Sequence, residues 1–139
     1  MNNDSNDNFE NLSDSKKLKL NKKKEKYRIH ENFYIAKTAR KTIRYVEKNV
    51  SNFPNEYSIL KNRLINSCYN ILEYIYKANI FQEIEYKKNA VVEIQMLNFY
   101  LEESLKKELI SFKKFESYTN HLLQLDKMIR SWFNYETSK

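Results

Sequence analysis

LLQLDKMIRSWF, residues 122–133, carries the only tryptophan of a 139-residue chain. Around it, apolar and aromatic residues fall at Phe115, Tyr118, Leu122, Leu125, Ile129 and Trp132, spaced by three, four, three, four and three. That alternation keeps successive side chains on one stripe of a helix with about 3.6 residues per turn. The stretch therefore predicts an amphipathic helix with Trp132 on its core seam. Aromatic residues at this spacing are far more often the wall of a core than platforms for a ligand.

The composition extends the helical reading to the whole chain. There is no glycine and a single proline, Pro54. Tight hairpins, phosphate-cradling loops and nucleophile elbows need glycine where the backbone turns left-handed or approaches closely, so their absence points to an all-α protein. The length suits one domain with one core. One cysteine, Cys68, cannot form an internal disulfide and lies among apolar neighbours as a small core residue. No stretch reads as a secretion signal or approaches the ~20 apolar residues of a membrane span, and a cytoplasmic protein is expected.

Four helices are predicted. Ile35, Ala39, Ile43, Val46 and Val50 line the first, over roughly 32–50, with Lys37, Arg40, Lys41, Arg44 and Lys48 on its other sides. Pro54, in VSNFPNEYS, ends that helix and suits the first turn of the next, where its missing N–H costs nothing. Tyr57, Leu60, Leu64, Cys68, Ile71 and Ile75 define the second, about 55–79. The third, about 82–108, would bury Ile84, Val91, Ile94, Leu101 and Leu105. Ser111 is the expected N-cap of the fourth. Helices joined by connections this short must be antiparallel neighbours, which predicts an up-down-up-down four-helix bundle over residues 31–139.

Two features exceed what one bundle needs. Val92, Met96 and Phe99, spaced by four and three, fall opposite the expected core side of the third helix, and a helix apolar on two opposed faces cannot bury both within its own bundle. A subunit interface is the reading, with Leu123, Met128 and Phe133 as an extension. The charge is the second feature. The net charge is +7, but residues 1–15 carry Asp4, Asp7, Glu10 and Asp14 and no base, whereas residues 16–28, KKLKLNKKKEKYR, hold eight Lys or Arg against Glu25. Residues 1–30 are read as a disordered or weakly helical tail, acidic and then Lys-rich. Lys16, Lys17, Lys22, Lys23 and Lys24 become candidate phosphate contacts, giving attraction to RNA or DNA that is salt-sensitive and poor in sequence preference. Leu18 and Leu20 alone do not supply the apolar face of a membrane-surface helix.

Catalytic and metal-binding patterns are missing. His30 and His121 have no second His or Cys at ligand spacing, and Glu83, Glu85, Glu102 and Glu103 lack the Glu-x-x-His pairing of a bundle-core metal site. A non-enzymatic protein without metal or cofactor is expected.

The order FPNEYSIL (53–60), ILEYIYKAN (71–79), ELISFKKFESY (108–118) and LDKMIRSWF (125–133) resembles the accessory variability determinant (Avd) proteins of diversity-generating retroelements, and equally their relatives encoded within ribosomal-RNA intervening sequences. The resemblance covers about 33–135. It departs at Asn55, at Arg130-Ser131 and in the longer Lys-rich tail. It implies a four-helix bundle assembled into a homopentameric barrel with a basic exterior, which binds nucleic acid, associates with a reverse transcriptase and assists mutagenic copying of a template RNA. The bases at matching positions are Arg40, Lys41 and Arg44, then Lys61 and Arg63, then Lys113 and Lys114. The alternative is a helical assembly module of the intervening-sequence type, with a protein partner and no retroelement role.

Overall fold

The computed structural model describes residues 13–19 and 33–137, with side chains through 133. The chain divides into two compact units, Met1–Phe33 and Tyr34–Lys139. In the first, residues 14–19 are helical and Ser13 caps them: the Lys16 N–H donates to Ser13 Oγ at 3.3 Å and the Lys17 N–H to the Ser13 carbonyl at 3.0 Å. Apart from this turn, the expected tail falls outside the described residues.

The second unit is built from α1 (Tyr34–Val50), a 3₁₀ turn (Asn55–Tyr57), α2 (Ser58–Phe81), α3 (Ile84–Lys106) and α4 (Phe112–Thr137). No strand occurs among the described residues. Among them, no helix is long and apolar enough to cross a membrane. Consecutive helices pack together, and α1 also packs on α4.

The helix boundaries follow local chemistry. Beyond α1, Phe53 N–H donates to the Val50 carbonyl and Ser51 Oγ to that of Lys48, which meets two of the carbonyls left over at the helix end, and Lys61 Nζ donates to the Ser51 carbonyl. Pro54 then turns the chain with φ −58° and ψ 152°. It stands immediately before the 3₁₀ turn rather than inside the first turn of the following helix. Glutamine does glycine's work after α2, where Gln82 is left-handed at φ 57°, and glutamate does it after α3, where Glu108 has φ 59°. Ser111 behaves as its sequence position suggests: its Oγ accepts from the Lys114 N–H at 3.1 Å.

Three of the four expected stripes supply most of the core, although Ile35, Tyr57, Leu60 and Phe115 at their ends are only half-buried. Ala39, Ile43, Val46 and Val50 of α1, Leu64, Cys68, Ile71 and Ile75 of α2, and Tyr118, Leu122, Leu125 and Ile129 of α4 are all buried. Phe53 and Ile110, in the two connections, are buried as well. The α3 expectation needs correcting. Its buried line is Lys87, Ala90, Ile94, Leu97, Leu101 and Ser104, while Ile84, Val91 and Leu105 are only half-buried. At about 100° per residue the true stripe is turned roughly 60° from the expected one. Lysine and serine within it hid it from a count of apolar residues. Trp132 is half-buried, and the Lys87 ammonium lies over its ring, 4.0 Å from the centroid.

Several buried polar groups are satisfied locally, whereas Tyr118 Oη, Thr119 Oγ1 and Asp126 Oδ1 have no hydrogen-bond partner among the described residues. Thr42 Oγ1 donates to the Thr38 carbonyl, Ser104 Oγ to that of Tyr100, and Ser67 Oγ to Glu93 Oε1 at 2.8 Å across the α2–α3 contact.

Candidate nucleic-acid interface

α1 presents two chemically opposed sides. Ala36, Ala39, Ile43, Val46 and Val50 face the core. At about 100° per residue, Lys37, Lys41, Arg44 and Lys48 fall within a ~60° arc on the opposite side. At about 1.5 Å per residue they form a row roughly 16 Å long, which matches some five phosphates of one duplex strand at about 3.4 Å each. Lys37, Lys41 and Lys48 are exposed and Arg44 is half-buried; Arg40 is half-buried beside the row.

What sets the row apart is its alignment on one side of one helix, since Lys61, Arg63, Lys113, Lys114 and Lys127 are likewise in no ion pair among the described residues. On α2, α3 and α4, Lys77 pairs with Glu73, Lys88 with Glu85, Lys106 and Lys107 with Glu103, and Arg130 with Asp126. Among the described residues, no acid stands within 4.0 Å of the Lys37, Lys41, Arg44 or Lys48 charges in this way. Glu47 is the only acid in α1, and its Oε2 accepts the Tyr69 hydroxyl of α2 at 2.8 Å. Partial burial, and then Glu47, push the Tyr69 hydroxyl pKa up, with Arg44 acting the other way. Both residues therefore belong to the microenvironment of the row.

The remaining candidates divide. Lys61, half-buried, reaches the Ser51 carbonyl at 3.2 Å and so sits at the C-terminal end of α1. Arg63, two positions on, lies about 200° around α2 and is exposed on another side. Structure thus separates two bases that sequence had grouped. Lys113 and Lys114 are exposed in the first turn of α4. That turn lies at the α1 C-terminal end too, because Tyr45 donates to Ser117 Oγ at 3.0 Å and packs on both Tyr118 and His121. Two cations at a helix N-terminus oppose the helix dipole. Lys16 and Lys17 belong to the first unit; Lys22, Lys23 and Lys24 lie outside the described residues, as does His30.

The second surface is on α3. Val92, Met96 and Phe99 are 61%, 39% and 49% exposed and lie opposite the Ala90–Ile94–Leu97–Leu101 line. Leu123 of α4 is exposed, whereas Met128 and Phe133 are half-buried. Met128 comes seven residues after His121 and shares its α1-facing side, so it does not extend the α3 surface.

Two further groups bear on chemistry. His121 Nδ1 donates to the Ser117 carbonyl at 2.8 Å, and its ring stacks on Tyr45 at 4.9 Å, which gives it a helix-packing position. Cys68 is buried, and burial, with Glu47 adding to it, pushes its thiol up to about 12. A buried thiol held protonated in this way is a poor nucleophile at neutral pH. No group of three or more His, Cys, Asp or Glu able to hold a metal occurs among the described residues.

Sequence reasoning named Lys37 and Lys48 only as helix charges, although their 37-41-44-48 spacing was legible. Tyr69 and Tyr34 it missed altogether. Tyr34 opens α1 on the Lys41 side, two turns earlier, and is 66% exposed. Compared with known proteins, the chain matches no family model and no curated protein.

Proposed function

We propose that this protein is a non-enzymatic, oligomeric nucleic-acid-binding accessory factor that acts in the cytoplasm beside a reverse transcriptase. In this reading the α1 row attracts the phosphates of RNA or DNA with little regard to sequence. The observation that carries it is the row itself: four cations on one outward line of a single helix, with no ion pair among the described residues. Solvated like charges held in a line repel one another, and a polyanion relieves that repulsion while releasing its counterions.

The four long helices, in this proposal, run up-down-up-down around one core. Support comes from their closed order of packing and from contacts that bring the end of one helix to the start of another, Tyr45 with Ser117 and Lys87 with Trp132. Copies join through Val92, Met96 and Phe99 into a ring, five-fold by the resemblance to the Avd family. The retroelement role and the reverse transcriptase rest on that resemblance alone. A second reading, the assembly module with a protein partner, is favoured by the same α3 surface if the charge of α1 is incidental.

The experiment that separates them is a salt titration. Replacing Arg40, Lys41 and Arg44 by Gln should preserve helical circular dichroism and oligomeric mass, weaken binding to labelled RNA, and lower the slope of log affinity against log salt by up to about 2 to 3. An unchanged slope would remove α1 from the interface.

A further inference from the structure

We propose that the α1 face takes single-stranded nucleic acid, stacking bases on Tyr69 and Tyr34 while Lys37, Lys41, Arg44 and Lys48 hold the phosphates. This rests on the reading of that face as a nucleic-acid interface and adds the form of the ligand.

Two observations carry it. Tyr69 is 48% exposed although its hydroxyl is held by Glu47 and its backbone lies within α2. With both ends fixed, what remains open is chiefly ring. Such a ring loses little freedom when a base settles on it, which favours binding. Tyr34 is more exposed still and flanks the opposite end of the same row. The two tyrosines lie at levels about thirteen residues of helix apart, roughly 20 Å, with the cations between them. A few nucleotides of extended strand span that distance.

A cationic track with aromatic rings along it is the pairing that single strands use, because every base has a π-face and stacking is indifferent to sequence. In a duplex the bases are already stacked on one another, leaving the tyrosines nothing to do.

The test uses the full chain, a labelled mixed-sequence RNA strand and the duplex it forms with its complement, read by fluorescence anisotropy at one salt concentration. Tyr69→Leu and Tyr34→Leu should each weaken single-strand binding by about five- to a hundred-fold and leave duplex affinity unchanged. Tyr69→Phe, which keeps the ring and loses only the hydroxyl, should stay within about three-fold of wild type on both probes. Equal losses on strand and duplex, or no loss on the strand, would overturn the proposal. Wild-type protein that binds the duplex but not the strand would overturn it while leaving the nucleic-acid reading of α1 intact; binding to neither would remove both.

Discussion

Glu108 and Gln82 occupy the left-handed backbone region in a chain without glycine, at φ 59° and 57°. At Glu108 the geometry is fully bonded: its own N–H donates to the Leu105 carbonyl, and the next, of Leu109, donates to that of Ser104, both at 2.9 Å. A Cβ in this region costs about 1–2 kcal/mol, and glycine removes that cost while giving back about 0.5–1 kcal/mol of chain entropy. Glu108→Gly should therefore stabilise the domain by roughly 0.5–1 kcal/mol in a urea titration, and a loss of stability would show that the glutamate side chain holds the corner. Cys68 and Tyr118 predict a pH dependence. Burial raises the thiol from 9.0 and the phenol from 10.0, each to about 12. Unfolded, both lose their protons at the lower values, so between those values and about 12 the folded state holds more protons and stability falls as pH rises. Full stability should persist below about pH 9, with the urea midpoint declining above it. Cys68→Ala should flatten the earliest part of that decline; an identical decline in the variant would contradict the assignment.

At the scale of elements, α1, α2 and α4 were legible because their buried positions are nearly all apolar and recur every three or four residues. α3 was not. Its seam includes Lys87 and Ser104, and its most regular exposed apolar set, Val92, Met96 and Phe99, faces away from the core. Periodicity reports that a face is apolar, not which neighbour covers it. Trp132 sits between these cases: its place on the seam was readable, its partner was not. No sequence rule sets a lysine on an indole from another helix, and Lys87, 1% exposed, lies there with Nζ 4.0 Å from the ring centroid. A desolvated cation–π contact contributes about 2 kcal/mol. Truncating a core Trp to Ala costs about 3–5 kcal/mol. Since Trp132 is half-buried, Trp132→Ala should cost about 3 kcal/mol by chemical unfolding, and a loss below about 1 kcal/mol would place the ring outside the structural core.

At the scale of the molecule, the proposed function turns on two surfaces that point outward for different reasons. The bases of α1 and the 37-41-44-48 spacing of four of them could be read from the sequence; that these four have no ion pair among the described residues needed side-chain positions. So did the presence of Tyr69 beside Arg44 and Glu47. One row of four cations binds weakly on its own. Repeated around an assembly, several rows act as one surface, because each contact after the first is made at high effective concentration. The central claim is that assembly through α3 makes α1 an effective nucleic-acid surface. Met96→Lys tests it by placing an uncompensated charge in the proposed subunit contact without touching any residue of the row. The decisive measurement is an RNA anisotropy titration of wild type and Met96→Lys, with light-scattering masses taken on the same samples. The expected result is a fall in mass toward the single chain, with affinity lower by about a hundred-fold or more. Monomeric Met96→Lys that binds RNA as tightly as the wild type would contradict the claim.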